Sequence, residues 1–130
     1  MENYPSGYNK YSVYFLNLMM KGIKDDVDAD SFWDAISDNA TFTFHYHFPD
    51  FPRQMTKSEY KTWFKSYSAP ETGADFLNIY KDSTAGITTL VMEYSVHYDQ
   101  YPDMNFLSIA KIKNKQVIQW DDYLDTSNIK

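Results

Sequence analysis

The sequence predicts a single α+β domain in which a curved, mainly antiparallel β-sheet forms a cone and three N-terminal helices enclose its cavity. Two observations carry that expectation. Helical spacing of apolar residues is confined to the first half of the chain, whereas the part after Gly73 falls into four strand-length segments separated by short turns. Helices that must cover one face of a curved antiparallel sheet leave a space between the two layers. Size agrees: 130 residues suffice for one core and are short for two. With no repeat, low-complexity tract or linker, residues 1–130 read as one domain.

Residues 1–9, MENYPSGYN, carry Pro5 and Gly7 and read as a loose arm. From Lys10 to Lys24, Val13, Leu16, Met20 and Ile23 recur every three to four residues, as on the buried face of an amphipathic helix. The acidic DDVDAD (Asp25 to Asp30) reads as a turn. Asp28 or Asp30 then caps a short second helix through Ser37, with Phe32, Trp33 and Ile36 on its apolar face.

Ala40 to Pro49 alternates strictly. Phe42, Phe44, Tyr46 and Phe48 point one way, and Thr41, Thr43, His45 and His47 the other, so this is a strand, ended by Pro49 and Pro52. Thr56-Lys57-Ser58-Glu59 has the capping-box pattern and opens a third helix with Tyr60, Trp63, Phe64 and Tyr67 at helical spacing. Pro70 and Gly73 end it. Four strands follow as a meander, over Phe76–Asp82, Gly86–Tyr98, Met104–Lys113 and Gln116–Asp125.

Composition narrows the function classes. A formal net charge of −6 and a single arginine, Arg53, argue against a nucleic-acid partner, which needs a basic footprint. Without cysteine there is no disulfide, no thiolate nucleophile and no zinc–thiolate site. No basic region followed by an apolar run opens the chain, and YFLNLMM (Tyr14 to Met20) is too short to span a bilayer, so no membrane partner and a cytoplasmic location are expected. Aromatics at 18% suit a core, a pocket for a flat organic ligand or an interface.

The last strand, VIQWDDYLDT, carries acid on both faces. Trp120, Asp122 and Leu124 share one face, and Asp121, Tyr123 and Asp125 the other. If the first lines the interior, Asp122 is a carboxylate among apolar side chains, either satisfied by a partner or raised in pKa and available for chemistry. Asp121 and Asp125 read as solvated or interfacial. His45, His47, Glu93 and His97 offer metal-ligand spacing, but alternation places them on the outer face, where satisfied or interfacial histidines are the favoured reading. No metal or cofactor is expected. Arg53, in FPDFPRQM, reads as an exposed loop residue at the cavity rim.

Two segments resemble the nuclear-transport-factor-2-like superfamily, which includes ketosteroid isomerases, limonene epoxide hydrolases and SnoaL-type polyketide cyclases. They are FWDAISDNATFTF (Phe32 to Phe44) and FLSIAKIKNKQVIQWDDYLDT (Phe106 to Thr126), the latter similar to the epoxide-hydrolase ending W-x-D-Y-F-D. The resemblance implies that Asp122 stands where those hydrolases keep their water-activating aspartate. Their partner arginine and second aspartate correspond to Tyr94 and Val96, and the isomerases' proton-transferring aspartate to Phe44.

The resulting expectation is a SnoaL-like, cofactor-independent acid–base enzyme acting on a small hydrophobic carbonyl compound. Asp122 would move a proton and Tyr94, or Tyr46, would stabilise the enolate oxygen. Phe42, Phe44, Tyr46, Val96 and Tyr98 would line the pocket, with Met104, Phe106, Ser108, Trp120 and Leu124. The alternative is a non-catalytic ligand-binding or protein-interaction module of the same fold. An open, partly polar cavity with an unpaired Asp122 favours the enzyme, and a filled core favours interaction. A homodimer through the outer sheet face, carrying Thr43, His45, Ser95, His97 and Tyr123, is expected.

Overall fold

A computed structural model of the chain describes residue 8 and residues 10–45, 52–66, 71–99 and 101–125. Helix α1 (Lys10–Ile23) turns the faces of Leu16, Met19, Met20 and Ile23 into the core. A short 3₁₀ turn (Lys24–Asp26) follows and runs into the acidic segment, where the sequence predicts a turn. Helix α2 (Phe32–Ala35) is capped by Ser31, whose side chain accepts from the Asp34 N–H, and not by Asp28 or Asp30. Helix α3 (Lys57–Phe64) has the expected capping box, with Thr56 and Glu59 satisfying each other's backbone donors.

The strands are β1 (Ile36–Phe44), β2 (Gln54–Thr56), β3 (Glu71–Thr84), β4 (Ile87–Tyr98), β5 (Tyr101–Lys113) and β6 (Gln116–Asp125). They form one six-stranded, curved and unclosed sheet in the order β2-β1-β6-β5-β4-β3. β1 begins at Ile36, earlier than the alternation from Ala40 suggests, because Ile36 pairs with Val117 before a register shift restores regular pairing at Thr41. β2 is too short for its alternation to register in the sequence. β3 and β5 start earlier than predicted because each is one arm of a long antiparallel ladder.

The α+β architecture matches the expectation, but the sheet is mixed. β1 and β6 run parallel, and every other pair is antiparallel. Parallel pairing needs a long crossover. Here α3 and the meander supply it: the chain reaches the far edge at β3, works back through β4 and β5, and lays β6 beside β1 in the same direction.

The inner sheet face and the helices bury one aromatic-rich core. Phe32 meets Trp120 edge-on at 5.3 Å, Trp33 meets Phe64 at 5.8 Å, and Tyr60 lies 4.6 Å from Phe42. Tilted and edge-to-face pairs of this kind add roughly 0.5–1.5 kcal/mol each beyond the area they bury. Gly22 sets how closely α1 approaches the sheet: a Cβ there would lie 2.7 Å from Met92 Sδ and 3.2 Å from the Phe76 ring.

Candidate active site

Alternation along β6 places Trp120 and Asp122 on the inner face. In the ladder, Asp122 faces Ser108 of β5 on one side and Phe44 of β1 on the other. Asp122 is only 2% exposed. Its Oδ1 accepts two hydrogen bonds, from Ser108 Oγ at 2.5 Å and from the Trp120 indole N–H at 2.6 Å. Trp120 can donate because residues two apart on a strand share a face. Oδ2 takes neither bond.

Tyr94 of β4 completes the group, with its hydroxyl 2.8 Å from Ser108 Oγ. Ser108 has one hydroxyl proton and spends it on Asp122, so with Asp122 ionised the phenol must donate to Ser108. The result is a one-way chain from Tyr94 through Ser108 to Asp122. Tyr94 is buried and stacks on Phe106 at 5.4 Å, with Phe76 on its other flank at 5.5 Å.

Burial pushes the Asp122 carboxyl up from its ordinary value to about 6. Desolvation is the leading cause, and the charge of Asp121 adds to it; the Ser108 and Trp120 bonds and the charge of His45 act in the opposite direction. No lysine, arginine or histidine side chain hydrogen-bonds the carboxylate among the described residues. The group remains near neutrality in proton affinity because donors partly replace the water it has lost.

The residues expected to line a pocket separate into two sets. Phe42, Phe44, Val96 and Trp120 are fully buried and act as core packing, with no surface turned to an open space. Tyr98, Met104, Phe106 and Leu124 are half-buried on the inner face. Ser108 and Trp120 were expected to touch substrate; both instead hydrogen-bond Asp122. Tyr94, expected to stabilise an enolate oxygen, has its hydroxyl engaged by Ser108. Tyr46 lies outside the described residues.

The outer face carries a second set of polar contacts. His45 stacks on Tyr123 at 4.2 Å with the rings 5° from parallel, and its Nε2 lies 2.9 Å from Asp121 Oδ1. Its backbone N–H donates to the Asp122 carbonyl at 2.8 Å. Asp121, expected to be solvated or interfacial, is paired within the chain, and Gln119 Nε2 donates to its other oxygen at 2.8 Å. His97 sits between Asp75 and Asp103, at 2.9 and 3.0 Å. Among the described residues no three potential ligands converge as a metal site. His47 and the side chain of Asp125 lie outside the described residues. Sequence alternation puts His45 and His97 on this face, but the acid partners of His97, Asp75 and Asp103, each stand one residue before a strand bound that the sequence predicts.

No family model and no curated protein matches the chain. Its similarity to solved structures is one of shape, and defines a protein of the nuclear-transport-factor-2-like fold. An NTF2-like protein from Anabaena variabilis superposes with a TM-score of 0.59 at 13% identity, covering 98% of this chain and 97% of that one. An NTF2-like protein of unknown function from Burkholderia xenovorans gives 0.56 at 15% identity, over 88% and 81%. A Catenulispora acidiphila protein with a ketosteroid isomerase-like fold, in complex with trimethylamine, gives 0.52 at 13%, over 75% of each chain. Among the described residues no helix is long and apolar enough to cross a membrane.

Proposed function

We propose that the protein is a cofactor-independent acid–base enzyme that moves a proton adjacent to the carbonyl of a small hydrophobic compound, with Asp122 as the proton carrier. The observation behind this reading is the asymmetry of the Asp122 carboxyl. Ser108 and Trp120 hold Oδ1, while Oδ2 is left without a hydrogen bond among the described residues. A carboxyl poised at about 6 is mostly ionised at neutral pH yet readily protonated, the balance that proton abstraction and return require.

In this mechanism Oδ2 takes the α-proton, and the Ser108 and Trp120 donors keep the carboxyl from rotating. Protonation weakens Oδ1 as an acceptor. Ser108 and Tyr94 can then turn their hydroxyls, and the phenol can redirect its proton to the enolate oxygen. Half-buried Phe106, Tyr98, Met104 and Leu124 supply the apolar contact surface. Isomerisation, aldol-type cyclisation and dehydration all begin with this step. Support from outside the chain is the likeness in fold to ketosteroid isomerase-like proteins, one of them holding a small ligand.

A specific observation favours a second reading, a non-catalytic binding or interaction module: Asp122 is paired, and Phe42, Phe44, Val96 and Trp120 pack without a gap to water. Exchange of α-hydrogens for deuterium separates the two. Over a panel of apolar ketones, the enzyme reading expects accelerated exchange for at least one compound and a loss of about 10²–10⁴-fold in Asp122→Asn. Equal exchange in both proteins, for every compound, selects the module.

A further inference from the structure

We propose that the outer face of α3 forms a second binding site, separate from Asp122, for a small polyanion bearing two or more phosphate or carboxylate groups. The groove there holds ≈ 490 Å³, within the range of small-molecule sites. Lys57, Lys61 and Lys65 line it at four-residue intervals, with the hydroxyls of Ser58 and Thr62 between them. Tyr8 and Asp38, from outside the helix, complete the lining. Among the described residues Tyr8 is the one aromatic side chain in the lining, and every lining side chain carries a polar group.

Three features distinguish the groove from a solvated helix face. Lys57 is fixed: its side chain is 17% exposed, and its ammonium donates to the Ile36 carbonyl at 2.8 Å and to Asp38 at 3.1 Å. Asp38 is 94% exposed on its side chain, so its carboxylate is well solvated and neutralises little. No carboxylate among the described residues pairs with Lys61 or Lys65. The groove thus has ammonium groups in excess on a chain whose net charge is −6. Finally, Tyr8 is tied to the helix, its hydroxyl donating to the Lys61 carbonyl at 2.9 Å. Burial raises the pKa of that phenol, so it meets an anion as a neutral group.

Helical rise separates successive lysines by about 6 Å along the axis, so a ligand whose anionic groups are spaced by a similar length engages two ammonium groups at once. A single phosphate engages one or two poorly. The groove therefore selects by charge spacing as well as by charge.

Calorimetric titration at low salt with inorganic phosphate and with tripolyphosphate tests this. Tripolyphosphate is expected to bind at least about tenfold tighter than phosphate, and a Lys61→Gln/Lys65→Gln variant to lose at least about tenfold of that affinity. Lys113→Gln, at the exposed end of β5, is expected to bind as the parent does. Absence of saturable tripolyphosphate binding overturns the proposal. So does an equal loss in Lys113→Gln, which would show attraction to lysines in general.

Discussion

Ser108 Oγ donates to Asp122 Oδ1 at 2.5 Å from the position directly opposite it in the β5–β6 ladder, and accepts from Tyr94 on the next strand. One small side chain thus joins the phenol of β4 to the carboxyl of β6. Its bond to the carboxyl favours the ionised form and opposes the desolvation that dominates the site. Ser108→Ala should therefore move the Asp122 midpoint further up from about 6, as read from the carboxyl carbon by NMR. A midpoint that stays or falls would mean that the serine does not support the charge.

Holding a buried carboxyl costs stability, with a definite pH dependence. The folded pKa of Asp122 lies above its ordinary value of 3.8, so between 3.8 and about 6 the folded chain binds more protons than the unfolded chain. Stability then falls as pH rises through that window, by up to about 3 kcal/mol from this group. Asp122→Asn, which keeps an oxygen for Ser108 and Trp120, should raise the unfolding midpoint at pH 7–8, and the gain should vanish near pH 4. Destabilisation at pH 7 would identify the carboxylate as a structural anchor.

Alternation made the inner face of β6 and the placement of Asp122 beside Trp120 readable from sequence, because a period of two needs no tertiary information. The capping box of α3 was equally local. Ser108 was readable only as an inner-face residue: its bond to Asp122 depends on the β5–β6 register, and its bond to Tyr94 on a third strand. The parallel β1–β6 pair was hidden for the same reason, since strand order is set by packing across the whole chain. The four-residue spacing of Lys57, Lys61 and Lys65 lies in the sequence, but spacing alone marks no groove, which also needs Tyr8 and Asp38 from elsewhere.

His97 bridges Asp75 of β3 and Asp103 of β5 across β4. Its pKa is raised, first by the Asp75 bond and then by the Asp103 bond. The stabilisation it supplies is complete below the ordinary histidine pKa and is lost as pH rises through the raised value. Its ring should titrate above about 6.5 by proton NMR. Asp75→Asn should lower that midpoint more than Asp103→Asn; the reverse order would misassign the leading partner.

The outer face carrying Thr43, His45, Ser95, His97 and Tyr123 is proposed as a homodimer contact. Tyr123, with 39% of its surface exposed under a stacked His45, is the aromatic such a contact would cover. Light scattering should give twice the chain mass at micromolar concentration, and Tyr123→Glu should give the monomer. A monomeric parent at that concentration removes the proposal.

His45 grips β6 at three consecutive residues from the face opposite the carboxyl: the Asp121 side chain, the Asp122 carbonyl and the Tyr123 ring. Two opposed charges therefore sit behind Asp122, that of Asp121 raising its pKa and that of His45 lowering it. Charge acts through the thickness of the sheet even where no side chain passes through it. Asp121→Asn should lower the Asp122 midpoint and His45→Gln should raise it. Because Asp121 is the stronger of the two influences, the double variant should end below the parent. The backbone clasp adds a second readout: the His45 amide should exchange with deuterium faster in Tyr123→Ala, where the ring that holds the imidazole is gone. If neither substitution moves the Asp122 midpoint, the two faces of the sheet are electrostatically independent, and proton affinity at the site is set from the inside alone.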